Sequence, residues 1–233
     1  MGERTDADWM RLHVETLFTT NDQGDLLLVN ESHGKAAPSF FIGHVADGTR
    51  LWFGSDVSDE VRASLRDLAG VAHVGPITTP NPHHEELSEA VAEMLDVSHH
   101  WAGPTFRFPE TLPAPAAAVS VTPDTARVLR RYFPDWLDDA ELGRPFSAVL
   151  EGRDAVAICT SVRIGRDVDE GGVETHERFR GKGHGTRAIA HWAASVRAVG
   201  REPLYSTSWS NEASRAVAKR LGMISYGHTL HWT

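Results

Sequence analysis

Apolar residues recur at helical spacing over residues 8–18, where Met10, Val14, Leu17 and Phe18 share one face. A short apolar run at 26–29 predicts a strand. Residues 39–45 and 50–53 are rich in aromatic and β-branched side chains and flank Ala46-Asp47-Gly48, so a hairpin turning on Asp-Gly is expected. Residues 58–68 predict a helix capped by Ser58, with Val61, Leu65 and Leu68 inward, and 86–95 predict another. Residues 101–109 look like an aromatic segment broken by Pro and Gly. The run 111–118 is small and Pro-rich, which favours extended chain, and a domain boundary is placed there at 112/113.

The remainder alternates more regularly. Residues 117–121 suit a strand, and Thr122-Pro123-Asp124 opens a helix carrying Ala126, Leu129 and Phe133. A short helix at 136–142 precedes strands at 146–150 and 155–164, joined by a turn at 151–154. A strand at 171–175 leads to a helix at 186–199 with Ile189, Trp192, Ala193 and Val196 on one face. A strand at 204–208, a helix at 211–221 burying Ala213, Val217 and Leu221, and a strand at 229–233 complete the order β-α-α-β-β-β-α-β-α-β.

The chain has 233 residues, 41% of them apolar and 24% charged, enough for a sizeable core in one large or two small domains. Cys159 is the only cysteine, so the chain has no intramolecular disulfide, and its apolar surroundings mark a buried thiol. The net charge of −9 argues against nucleic acid as a partner and suits a cationic acceptor slightly better. No apolar run reaches a membrane span, and the acidic N-terminus resembles no signal peptide, so a cytoplasmic protein is expected.

The most informative run is Arg180-Gly181-Lys182-Gly183-His184-Gly185, between an expected strand and an expected helix. Glycines at alternate positions admit a ligand close to the backbone, and the following helix aims free N–H groups and its positive dipole end at that ligand. Phosphate or pyrophosphate suits such a site, and Arg180 and Lys182 add positive charge. The run is not a P-loop, which needs Gly, four residues and Gly-Lys-Ser/Thr. Nor is it a dinucleotide fingerprint, because Thr186 stands where a third glycine is required.

The Arg-x-x-Gly-x-Gly spacing, reaching Gly185 from Arg180, resembles the acyl-CoA loop of the GNAT superfamily of N-acetyltransferases. A second family element follows at the right distance: the strand at 204–208, Asn211, and a helix ending in Leu221-Gly222-Met223. The close resemblance covers about 173–223, and the element order extends it back to about 117. It implies a GNAT-like α/β (α+β) fold in 113–233, a mostly antiparallel sheet flanked by helices, with an additional α/β domain in 1–112. It implies acetyl-CoA as donor, with the amides of Gly181, Lys182, Gly183, His184, Gly185 and Thr186 on the pyrophosphate and Arg180 shaping the loop. Val173 and Thr175 would meet the pantetheine arm, and Asn211 and Ser214 would contact the cofactor or hold two strands apart. His184 is expected to be exposed beside the phosphates.

In this family the amine attacks the thioester directly, so no protein nucleophile is needed. An alkyl amine has a pKa of about 10 and needs a base to remove its proton. Glu174 is the expected base, with Asp169 and Glu170 as second choices. Many family members carry a Tyr four residues before the helix-ending Gly as the acid for the thiolate, and Ala218 stands there instead. Tyr226, Tyr205, or Ser214 acting through water are the substitutes.

The 13 histidines cluster at His83-His84 and His99-His100, but no His-Glu-x-x-His spacing occurs and no metal site is expected. Trp101, Phe106 and Phe108 fit a domain junction or an acceptor pocket. The first half is either a degenerate copy of the same fold or a cap over the acceptor site. The leading expectation is N-acetylation of a small-molecule or peptide amine. A non-catalytic acyl-CoA-binding regulatory module is the alternative, and a metal-dependent hydrolase is third. A homodimer is one option for the assembly, which the sequence leaves open.

Overall fold

The computed structural model describes residues 4–31, 34–71, 83–97, 99–112 and 117–233. The chain divides into two compact units. The first comprises Met1–Phe106, Ser206–Arg215 and Ser225–Thr233, and the second comprises Arg107–Tyr205 and Ala216–Ile224. Most of the last strand and the segment running into the first turn of the last helix thus group with the N-terminal half.

In the first unit, helix α1 (Asp6–Leu17) starts at Thr5. The Thr5 hydroxyl accepts the Asp8 N–H at 3.2 Å, and the Asp8 carboxylate accepts the Thr5 N–H at 3.0 Å. Strands β1 (Phe18–Thr20) and β2 (Leu26–Val29) form an antiparallel ribbon. Strands β3 (Phe40–Val45) and β4 (Gly48–Phe53) make the expected hairpin. Helices α2 (Asp59–Val71) and α3 (His83–Leu95) follow. Strand β5 (His100–Arg107) and the C-terminal strand β11 (Ile224–Trp232) complete the unit's sheet, in the order β4-β3-β11-β5. The register sets Phe40 between Phe53 and Trp232, with stacked rings 5.2 and 5.4 Å apart. Leu65, Val91 and Leu230 close over them and bury this apolar surface.

Residues 101–109 do not form the broken segment expected. Most of them belong to β5, in which Ala102 and Pro104 accept the N–H groups of Trp209 and Thr207 at 3.1 and 3.3 Å. Proline lacks a donor but keeps its carbonyl, which accepts the Thr207 N–H here.

In the second unit, strand β6 (Ala118–Ser120) leads to 3-10 turns at Pro123–Leu129 and Pro134–Trp136 and a short helix α4 (Leu137–Glu141). The expected first helix is therefore a 3-10 segment, which still buries Ala126 and Leu129. Strands β7 (Phe146–Glu151), β8 (Asp154–Ile164) and β9 (Val168–Thr175) meander antiparallel. Helix α5 (His184–Ala198), strand β10 (Glu202–Ser206) and helix α6 (Glu212–Arg220) follow. The order is β10-β9-β8-β7-β6, with only β10 parallel to its neighbour. One face carries Leu129, Phe133, Phe146 and Ile158. The other lies against α5, whose Ile189, Trp192, Ala193 and Val196 are all buried, as their spacing predicts. The fold is thus mixed α+β, with mostly antiparallel sheet flanked by helices. Helix α6 departs from expectation: Ala213 is exposed and Val217 half-buried, while Ala218 and Leu221 face inward. Among the described residues, no helix is long and apolar enough to cross a membrane.

Candidate functional site

The parallel pairing of β10 with β9 runs only from Glu202–Val168 to Leu204–Glu170. Strand β9 continues to Thr175 and stays paired with β8 to its end, Thr175 opposite Ala157. The main chain of residues 171–175 therefore offers an edge beyond its last pair with β10. The closed end of this opening is pinned from inside. The fully buried Asp169 carboxylate accepts the Ser161 hydroxyl at 2.7 Å and Arg201 Nη2 at 3.1 Å, and the Trp192 indole donates to Ser161 at 3.0 Å. A carboxylate without water is held here by charge and hydrogen bonds together. This network occupies Asp169, a second-choice base. Glu170, the other, is also buried on β9.

The open edge runs directly into the glycine loop. A 3-10 turn at Glu177–Phe179 reverses the chain, and Arg180 Nε donates to the terminal carbonyl of β9, Thr175 O, at 3.2 Å. Gly181 and Gly183 have φ of +78° and +76°, left-handed geometry that disfavours any side chain. Gly183 is the N-cap of α5 and supplies no side chain to the helix end. The amides of His184, Gly185 and Thr186 thus open the helix without intrahelical acceptors, and no acid stands in this first turn. Lys182 adds charge, its ammonium 5.3 Å over the Phe179 ring. A Cβ on Gly181 or Gly183 would meet open space, whereas one on Gly185 would lie 2.9 Å from Thr175 Oγ1 and 3.6 Å from Val173 Cγ2. The glycines therefore act differently: the first two permit the turn, and the third lets α5 approach β9.

His184 is buried rather than exposed. Arg187 Nη2 donates to its Nδ1 at 2.6 Å, which assigns the ring proton to Nε2, 3.5 Å from Glu151 Oε1. Burial, then the Arg187 charge, pushes its pKa below the usual histidine value. Its ring is part of the loop's foundation, while its backbone N–H belongs to the helix end.

Glu174 lies opposite Ile158, on the face away from α5. It is exposed at the end of β9, and its Oε2 accepts the Trp136 indole N–H at 3.0 Å. Trp136 was read from sequence only as a helix residue. Its polarity at one end of a large apolar ring was a signal, but no spacing linked it to Glu174, 38 residues away.

Asn211 stands at the start of α6, where its Oδ1 accepts the Ser214 N–H at 3.0 Å, an N-cap geometry that holds both residues. Asn211 and Ser214 belong to the first unit, as does Tyr226; the loop and Glu174 belong to the second. Tyr226 is fully buried, its hydroxyl 2.9 Å from His13 Nδ1. Tyr205 is buried on β10. Ser214 is half-buried. The thiol of Cys159 is buried and its pKa pushed well above the usual value, first by desolvation and then by Glu170. The side chains of His83 and His84 lie outside the described residues. Among the described residues, no group of three or more His, Cys, Asp or Glu is placed to hold a metal ion.

Residues 156–232 match the family model described as FR47-like protein, a GNAT-related family, across the open edge, the glycine loop and α6. Similar solved structures include a putative GNAT-family acetyltransferase from Novosphingobium aromaticivorans, at 17% identity and a TM-score of 0.49. That match covers 58% of this chain and 65% of the other, just under two thirds of its length. A GNAT-family acetyltransferase from Colwellia psychrerythraea is 12% identical with a TM-score of 0.47, covering 91% and 78% of the two chains. A GCN5-related N-acetyltransferase from Kribbella flavida is 15% identical with a TM-score of 0.47, covering 99% and 96%. A search of curated proteins finds no match.

Proposed function

We propose that the protein transfers an acetyl group from acetyl-CoA to a primary amine. The observation that carries this reading is the continuity of the open β9 edge with the glycine loop and the N-terminus of α5. An acyl-CoA has a pyrophosphate at one end of an amide-bearing arm and a thioester at the other. The amides of residues 181–186, with Arg180 and Lys182 beside them, suit the pyrophosphate. The main chain at Val173 and Thr175 suits the pantetheine amides as an added strand, and an N–H on this edge stabilises the developing oxyanion.

In the reaction, the Glu174 carboxylate takes a proton from the ammonium form of the acceptor, directly or through water. The freed amine attacks the thioester carbonyl, the C–N bond forms, and the second amine proton passes to solvent. The C–S bond then breaks and the CoA thiolate leaves to be protonated. Solvent supplies that proton. The products are an N-acetyl amine and CoA. The test is release of free CoA thiol from acetyl-CoA on adding tyramine, spermidine or a lysine tripeptide, in the wild type and in Glu174→Gln. Amine-dependent release that Glu174→Gln loses supports the proposal. No release with any of these amines favours an acyl-CoA-binding module, the reading that the buried Ala218 at the family's Tyr position supports.

A further inference from the structure

We infer that Trp136 is a positioning residue for Glu174, so that the candidate base is set by an indole N–H from a different part of the second unit. The inference rests on the reading of Glu174 as the base. Three observations lead to it.

The contact is directional and single: Trp136 Nε1 donates to Glu174 Oε2 at 3.0 Å. An indole N–H can only donate, so it holds one of the carboxylate oxygens. Oε1 is then the oxygen that receives the amine proton.

The indole is itself fixed. Trp136 ends the 3-10 turn at Pro134–Trp136, and its backbone N–H donates to Phe133 O at 3.1 Å. Its ring meets Phe146 edge-on, with centroids 6.4 Å apart and planes at 76°, and packs on the core beneath β7 and β8. A strand-end glutamate otherwise samples several rotamers, and each sampled state lowers the population poised for proton transfer.

The surrounding charges do not provide the same restraint. Trp136's own segment bears Asp135, Asp138 and Asp139, with Asp139 paired to Arg144 at 3.4 Å. Arg131, on the preceding turn, pairs with Asp154 at 3.0 Å. Beyond β9, His176 packs on Tyr132 with ring centroids 4.4 Å apart, and Glu177 and Arg178 follow in the 3-10 turn.

The experiment follows the Trp136 indole N–H and the Glu174 carboxyl carbon by NMR as pH is varied, in the wild type, Trp136→Phe and Glu174→Gln. In the wild type, the indole resonance shifts with the same midpoint as the Glu174 carboxyl, and Glu174→Gln abolishes that shift. Trp136→Phe keeps the ring and loses the donor, so the Glu174 carboxyl carbon resonance leaves its wild-type position. Where tyramine is acetylated, kcat falls several-fold in Trp136→Phe, while the Kd for acetyl-CoA is unchanged. If Trp136→Phe does not fold, Trp136→His retains a ring N–H, and its own ring resonance is followed against Glu174 in the same way. An indole resonance indifferent to Glu174, or an unchanged kcat in Trp136→Phe, overturns the inference. A coupled titration in a protein that acetylates no amine overturns instead the reading of Glu174 as base, and the positioning role with it.

Discussion

Gly185 brings the first turn of α5 against Thr175, so closely that a Cβ there would stand 2.9 Å from the threonine hydroxyl. This approach sets the distance between the end of β9 and the free amides of the helix. The glycine loop and the strand edge therefore share one geometric constraint.

Gly185→Ala is expected to cost about 1 kcal/mol of stability, since Thr175 can turn aside, but to weaken acetyl-CoA binding about tenfold by displacing the helix end. Gly183→Ala meets no neighbour, and its cost of about 1 kcal/mol comes from the left-handed backbone. Paired denaturation and calorimetry separate the two effects.

Arg201→Ala removes the charge that holds the fully buried Asp169 carboxylate. A loss of about 3 kcal/mol is expected, because a buried charge loses its partner. Asp169→Asn combined with Arg201→Ala should cost less than the sum of the single changes. Urea denaturation of the four proteins measures this. A loss under about 0.5 kcal/mol for Arg201→Ala would mark the pair as a solvated surface contact.

Acid should destabilise the protein through His231. Burial, then the charges of His100 and His13, lowers its pKa to about 4. Because the folded value lies below the unfolded one of about 6.5, the unfolded chain binds more protons between them. The contribution is complete above pH 6.5 and falls as pH drops towards 4, by about 3 kcal/mol in all. His184 has the same sign. Thermal melts from pH 7 to pH 4 should show a falling Tm, with a shallower slope in His231→Gln; an equal slope would assign the loss to other groups.

Sequence periodicity located the elements whose burial is local. Helix α5 is legible because Ile189, Trp192, Ala193 and Val196 repeat at helical spacing and all face the sheet. The β3–β4 hairpin is legible because Asp47-Gly48 states its own turn. Strand β5 was not, because its partners, β11 and the segment around Thr207 and Trp209, lie about a hundred residues later. The glycine loop was legible as a strand-to-helix turn, yet the burial of His184 depends on Glu151 and Arg187, whose nearness no spacing in the loop reveals. Trp136 was missed for the same reason: its partner Glu174 is fixed by the register of β9 against β8. The inward face of α6 was misjudged because Ala213, Val217 and Leu221 fit helical spacing as well as the Ala218 face that the fold selects.

Glu174→Gln is isosteric and keeps an acceptor for the Trp136 indole. Amine-dependent turnover is expected to fall at least about a hundredfold, as when a general base is removed, with acetyl-CoA affinity unchanged. Steady-state kinetics beside calorimetry check both halves.

The most direct measurement is calorimetric titration of acetyl-CoA into the wild type and into the Gly183→Asp/Gly185→Asp variant, which places carboxylates beside the free amides that open α5. Saturable binding by the wild type that the variant loses is the predicted result. A wild type that binds neither acetyl-CoA nor longer acyl-CoAs would contradict the acyl-CoA site and leave the glycines as a tight strand-to-helix turn.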